Sequence, residues 1–183
     1  IAGEVVEGPY QSALQNVADN GLEDKIEVRL ANGLAAFEPT DCISCITIAG
    51  MGGRLIADIL AAGLEKLASV SRLVLQPNNR EDELRDWLVD HDFRIVDEAI
   101  LEENEKFYEI LVVEQGSQEL SAKELRFGPY LMREQAPAFV QKWSKEVEKL
   151  AFALEQVPVE NQSARASLEE RIAQIKEVLN ASK

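Results

Sequence analysis

Apolar residues fall into two rhythms along this chain. Through residue 114, short apolar runs alternate with stretches whose apolar positions recur every three or four residues. "IAGEV" is a short strand. Pro9 then suits the first position of a helix, where its missing N–H costs nothing. "YQSALQNVADN" carries Ala13, Leu14, Val17 and Ala18 on one helical face, and Gly21 follows as its stop. "KIEVRLAN" alternates Ile26, Val28 and Leu30 as a strand, and "CISCITIA" reads as an uninterrupted apolar strand of a buried parallel sheet. "GRLIADILAAG" is a helix with Leu55, Ile56, Ile59 and Leu60 inside. "RLVLQ" is a further buried strand. "REDELRDWLVDH" is a helix that turns Leu84, Trp87 and Leu88 inward, and residues 93–114 form two strands around an acidic turn.

Strand–helix alternation predicts an α/β fold with a mostly parallel sheet covered by helices on both faces. A terminal antiparallel hairpin on such a sheet suits a Rossmann-like methyltransferase better than a nicotinamide dehydrogenase. "QGSQELSAK" marks a boundary, dividing residues 1–116 from residues 117–183. Beyond it the rhythm is helical alone. Phe139, Trp143, Val147, Leu150 and Leu154 share one face, as do Leu168, Ile172, Ile175 and Leu179 after the break at Val157-Pro158-Val159. Two amphipathic helices around a proline turn make an antiparallel helical hairpin, a coiled coil too short to demand an oligomer. A monomer or weak dimer is expected.

Charge sharpens this division. Of the 183 residues, 1–115 hold 9 Lys+Arg and 23 Asp+Glu, a net −14, whereas 116–183 hold 10 of each. An acidic body repels nucleic acid at long range, so any nucleic-acid partner is to be met by local basic patches, best supplied by the neutral C-terminal part. No apolar run approaches the ~20 residues of a membrane span. Two cysteines without a secretory signal point to the cytoplasm. Cys42-x-x-Cys45 is read as a pair of buried core thiols rather than a metal or redox site: strand positions i and i+3 face opposite ways, and there is no second cysteine pair. The single histidine, His91, belongs at a helix C-terminus.

The candidate chemistry lies at strand ends. In "CITIAGMGGRL", Gly50, Gly52 and Gly53 follow a run of β-formers, yet a dinucleotide fingerprint would need a glycine at Leu55 and a Walker loop would need a lysine. One glycine suffices for a tight turn; three point to close approach of another molecule. Glu4 ends the first strand, where an acidic side chain can accept from ribose hydroxyls or simply be solvated. Asn32-Gly33 either caps a turn or meets an adenine. In Gln76-Pro77-Asn78-Asn79, two amides stiffened by proline suit reading of a base edge, and at least one asparagine is expected to cap the next helix.

Together "GEVVEGP", "ANGL", "IAGMGG", "LQPN" and "FGPYLM" resemble the bacterial TrmK-type tRNA (adenine-22-N1)-methyltransferases over nearly the whole chain. The resemblance implies a Rossmann-like S-adenosylmethionine domain, a C-terminal hairpin, and methyl transfer to N1 of an adenine in tRNA. It places the cofactor at Glu4, Val5, Asn32, Gly33, Ala49, Gly50, Met51 and Gly52. It places the substrate at Gly8, Pro9, Gly53, Arg54 and Pro77, with Gln76 and Asn78 as the catalytic pair. The glycine turn then holds no phosphate but forms a flat floor for cofactor and base. The family's first strand and cofactor loop have no counterpart here, and half a βαβ unit corresponds to roughly 15–40 residues. A sheet without that strand would lack a central member and leave the cofactor site open. Two other readings stay open: a small-molecule methyltransferase, which has no use for the hairpin, and a non-catalytic tRNA-binding module.

Overall fold

A computed structural model describes residues 1–181. The order is β1 (Ala2–Glu4), α1 (Glu7–Asp19), β2 (Val28–Leu30), β3 (Cys45–Met51), α2 (Gly53–Ala62), β4 (Arg72–Pro77), α3 (Glu81–Asp90), β5 (Phe93–Glu103) and β6 (Lys106–Gln115). Four helices follow: α4 (Ala122–Phe127), α5 (Leu131–Glu134), α6 (Pro137–Gln156) and α7 (Gln162–Asn180). Pro9 is the third residue of α1 rather than the first, still within the turn whose N–H groups lack helical partners.

The strands form two groups. β1 pairs parallel with β2, while β3, β4, β6 and β5 lie side by side in that order, β3–β4 parallel and the remaining pairs antiparallel. β1 and β3 face one another across a cavity of about 460 Å³. This gap separates the two groups. It also explains why β3, expected to be buried, keeps only Ile48 below a tenth exposed: its free edge opens on the cavity. Leu55, assigned above to the inner face of α2, is half exposed at the same opening, whereas Ile56 and Leu60 are fully buried. Cys45 lies on β3 and Cys42 precedes it in a left-handed turn (φ 53°). Both thiols are free and exposed, not core residues.

The sheet's covered side packs Ile56, Leu60, Leu73, Leu75, Leu84, Leu88, Ile95 and Leu111, all fully or almost fully buried. Each such side chain contributes about 1.5–3 kcal/mol by leaving water. A second, smaller core unites Phe127, Leu131, Phe139, Trp143, Leu150, Ile175 and Val178, with Val147, Leu168, Ile172 and Leu179 at its margin. The period-3.6 pattern thus pairs α6 with α7, and Arg165 closes their turn by donating to the carbonyls of Leu154 and Val157, both at 3.0 Å.

Candidate active site

The site is built where β3 and β4 end. The parallel register slips between Ala49 and Met51, and Gly50 takes up the slack in a left-handed conformation (φ 77°) that disfavours a side chain. A Cβ on Gly50 would meet nothing within 4 Å, so this backbone is open to an approaching molecule. The two glycines that follow answer to the protein itself. A Cβ on Gly53 would lie 2.4 Å from the Arg80 carbonyl oxygen, and one on Gly52 would lie 3.0 Å from Asn79 Oδ1. The start of α2 is thereby pressed onto the loop after β4, and the Gly53 N–H donates to the Asn79 carbonyl at 2.9 Å.

A chain of amides crosses this junction. The Gly50 N–H donates to Gln76 Oε1 at 2.8 Å. Gln76 Nε2 donates to Asn78 Oδ1 and to the Pro77 carbonyl, both at 3.0 Å. The Asn78 N–H donates to the Met51 carbonyl at 2.7 Å. The expected helix cap is absent: the N-cap of α3 is Arg80, in a left-handed conformation and without a side-chain cap bond, so neither Asn78 nor Asn79 caps. Pro77 is buried, while Asn78 is exposed.

Across the cavity stand Glu4 and Val5 from the end of β1, with Asn32 and Gly33 after β2. Asn32 makes no side-chain cap bond to the turn it precedes. Ala49, Met51, Leu55 and Ile59 complete an apolar wall. Of the cofactor candidates, Glu4, Val5, Asn32, Gly33, Ala49 and Met51 line the gap between β1 and β3, whereas Gly50 and Gly52 are not part of its lining. A carboxylate, an amide and an apolar wall on this gap, with the open Gly50 backbone beside it, are groups of the kind a nucleoside-containing ligand can use. Of the substrate candidates, Arg54 is exposed beside this floor on α2, and Gly53 is buried. Gly8 and Pro9 sit on the exposed first turn of α1, outside the cavity lining. No cluster of three metal-ligating side chains occurs among the described residues.

The model of the tRNA (adenine(22)-N(1))-methyltransferases matches residues 1–177. The chain belongs to this family. The tRNA (adenine(22)-N(1))-methyltransferase of Bacillus subtilis is 39% identical over 192 residues, covering 98% of this chain and 80% of that protein. Streptococcus pneumoniae Sp1610, crystallised in complex with S-adenosyl-L-methionine, superposes with a TM-score of 0.90 at 66% identity, over 98% of this chain and 80% of that one. The M. capricolum TrmK structure, in complex with S-adenosyl-homocysteine, reaches 0.81 at 25% identity, over 98% and 79%. The Rossmann-like fold and terminal antiparallel hairpin expected from the pattern are those of the family.

One cluster escaped the sequence pattern. Arg85 is wholly buried and donates to Glu98 Oε1 at 2.8 Å, to Glu109 Oε2 at 2.6 Å and to the Leu125 carbonyl at 3.0 Å. Lys142 of α6 completes it, bridging Glu109 at 2.7 Å and Glu81 at 2.8 Å. Glu98 Oε2 in turn accepts from the Tyr130 N–H at 2.9 Å, within "FGPYLM". Burial drives the Glu98 carboxyl above its ordinary range, a shift that Arg85 only partly offsets. The network fastens the hairpin to the sheet. The helical spacing 81, 84, 85, 88 was the one available signal that Glu81 and Arg85 share the face of Leu84 and Leu88. His91 closes α3 as expected, stacked on Trp87 at 4.1 Å between centroids.

Proposed function

We infer that this chain transfers the methyl group of S-adenosylmethionine to N1 of adenine 22 in tRNA. The observation that supports the reading is that Glu4, Asn32, Ala49 and Met51 line one cavity, while the open Gly50 backbone between Ala49 and Met51 is bonded to the Gln76–Asn78 amides. In this reading Glu4 takes the ribose diol, Asn32 and Gly33 flank the cofactor's adenine, and Val5, Ala49, Gly50, Met51 and Gly52 line its bed. The bound cofactor supplies an electrophilic methyl carbon on a sulfonium.

N1 of adenine already carries an in-plane lone pair, so no side chain has to remove a proton first. The work of the protein is alignment, which can lower a barrier as much as general acid–base chemistry does. N1 lies on the Watson–Crick edge, so the base is accepted unpaired or flipped. Positive charge develops on the ring, and the carbonyl dipoles around Ala49–Gly52 with the amide oxygen of Asn78 favour it. Gln76 acts through its bonds to Gly50 and Asn78. Arg54 and the first turn of α1, with Gly8 and Pro9, lie on the tRNA side, with Pro77 and Gly53 beneath the base.

Residues 1–116 are assigned to cofactor and chemistry, residues 117–183 to recruitment of tRNA. Arg133, Lys145, Lys149, Arg171 and Lys176 are exposed on the second part and supply phosphate contacts. Lys142, on the same part of the chain, is engaged by Glu81 and Glu109 instead. The hairpin helices bury their apolar faces on each other, which supports a monomer or weak dimer, and the free thiols of Cys42 and Cys45 suit the cytoplasm. Incubation of the full-length protein with unmodified tRNA and S-adenosylmethionine, followed by mass-spectrometric mapping, should find 1-methyladenosine at position 22. Methylation elsewhere, or none, would overturn the assignment.

A further inference from the structure

We propose that Gly50, Gln76 and Asn78 form a polarised relay that reads the N6/N7 edge of the target adenine and rejects guanine. This rests on the reading above that adenine N1 accepts the methyl group. The relay begins with a group that cannot reverse. A backbone N–H only donates, so the Gly50 N–H at 2.8 Å fixes which end of the Gln76 amide is oxygen. The nitrogen end must then face Asn78 and Pro77, and both of its hydrogens are used, on Asn78 Oδ1 and the Pro77 carbonyl. Asn78 is in turn compelled to place its oxygen toward Gln76. Its backbone is pinned by the Met51 carbonyl at 2.7 Å, so the amide plane has little freedom left.

What Asn78 presents outward is therefore determined: one remaining lone pair on Oδ1 beside the donors of Nδ2. Adenine offers the complement along one edge, the N6 donor beside the N7 acceptor, and an asparagine amide matches that pair in a bidentate contact. The contact leaves N1 uncovered, on the far side of N6, where the reacting carbon must approach. Guanine offers two acceptors on the same edge, O6 and N7, and would set O6 against the oxygen of Asn78. A freely rotating amide could turn over and lose this distinction. The Gly50 N–H prevents the reversal, which gives the left-handed glycine a role in specificity besides its openness. Gln76 is in this account a positioning residue, and of the two amides only Asn78 touches the base.

The test compares single-turnover methylation, by the full-length protein at saturating S-adenosylmethionine, of tRNA carrying adenine or 7-deazaadenine at position 22. The analogue keeps N1 and N6 and replaces N7 by C–H. The native protein should methylate the analogue about 5- to 150-fold more slowly, the range for one bidentate base contact. Asn78→Ala should slow adenine methylation and abolish the difference between the two bases. Gln76→Glu keeps an acceptor for Gly50 but has no hydrogen for Asn78, and should likewise narrow the ratio, whereas a purely structural role would lower both rates equally. Equal rates on both bases with the native protein would overturn the proposal, a measurement that no misfolded variant can obscure. Discrimination that survives Asn78→Ala would overturn it too. Failure of the native protein to methylate adenine at all would instead overturn the functional reading beneath it.

Discussion

Replacing Arg85 by methionine tests whether the hairpin is held by charge in a dry interior. In the native protein two cations, Arg85 and Lys142, face three carboxylates, Glu81, Glu98 and Glu109. The Arg85, Glu98 and Glu109 side chains are 0%, 0% and 1% exposed. Methionine fills much of the volume but leaves three carboxylates with one cation. Glu109 keeps Lys142, while Glu98 keeps only backbone N–H donors and the Leu125 carbonyl loses its partner. Breaking a buried pair on one side costs about 3–5 kcal/mol, roughly a fifth or more of the stability of an ordinary domain. The loss depends on pH with a definite sign. Glu98 already has a raised pKa, so the folded state takes up a proton that the unfolded state does not bind. Stability from that proton is present at low pH and disappears as pH rises through the folded value. Without Arg85 the shift grows, and Arg85→Met should lose less at about pH 5 than at about pH 7. Urea unfolding at both values measures this, and Glu98→Gln added to Arg85→Met should restore part of the loss at neutral pH. An Arg85→Met protein as stable as the native one, or equally weakened at both pH values, would refute the reasoning.

Three further outcomes follow from other sites. Glu4→Ala should weaken S-adenosylmethionine binding by about 1.5–3 kcal/mol, read by calorimetry on the full-length protein; unchanged affinity would remove Glu4 from the cofactor site. Because Asn78 caps no helix, Asn78→Ala should leave the melting temperature unchanged while lowering kcat by roughly 10- to 1000-fold, and Asn78→Asp, which keeps an acceptor beside a developing cation, should be less damaging. Arg29 holds the Asp41 carboxyl down at about 2 through hydrogen bonds to both oxygens, with a further bond from the Glu38 N–H. Its contribution is present above the ordinary aspartate value and fades as pH falls toward 2, so Asp41→Asn should flatten the acid limb of a stability–pH profile.

Elements with a strong period were legible in the sequence: every helix with an apolar stripe and both strands of the β5–β6 hairpin lie where the spacing puts them. The buried charges were not. In β5 the two-residue alternation runs inward through Phe93 and Ile95, and a bulge before Asp97 then turns Glu98 to the inner face. No propensity marks that slip, and a reader counting by twos leaves Glu98 in solvent. The exposure of β3 was hidden for a different reason, since an apolar run announces burial but not which neighbour provides it. At the site, residue types marked the strand ends as candidates, yet the division of labour among the glycines is a matter of distances. The pattern offers three equal glycines, of which one is open and two are occupied by the Asn79–Arg80 loop.

That occupation has a consequence for how the protein can change over time. With the Arg80 carbonyl oxygen only 2.4 Å from where a Gly53 Cβ would stand, the loops after β3 and β4 share one space and cannot drift independently. An alanine at position 53 is admissible only after the neighbouring loop has moved, and that movement would carry Asn78 away from Gln76. Viable histories through this region therefore pass through paired substitutions, in which a harmful first step is rescued by the second. The order of those steps is restricted even though neither loop belongs to the hydrophobic core.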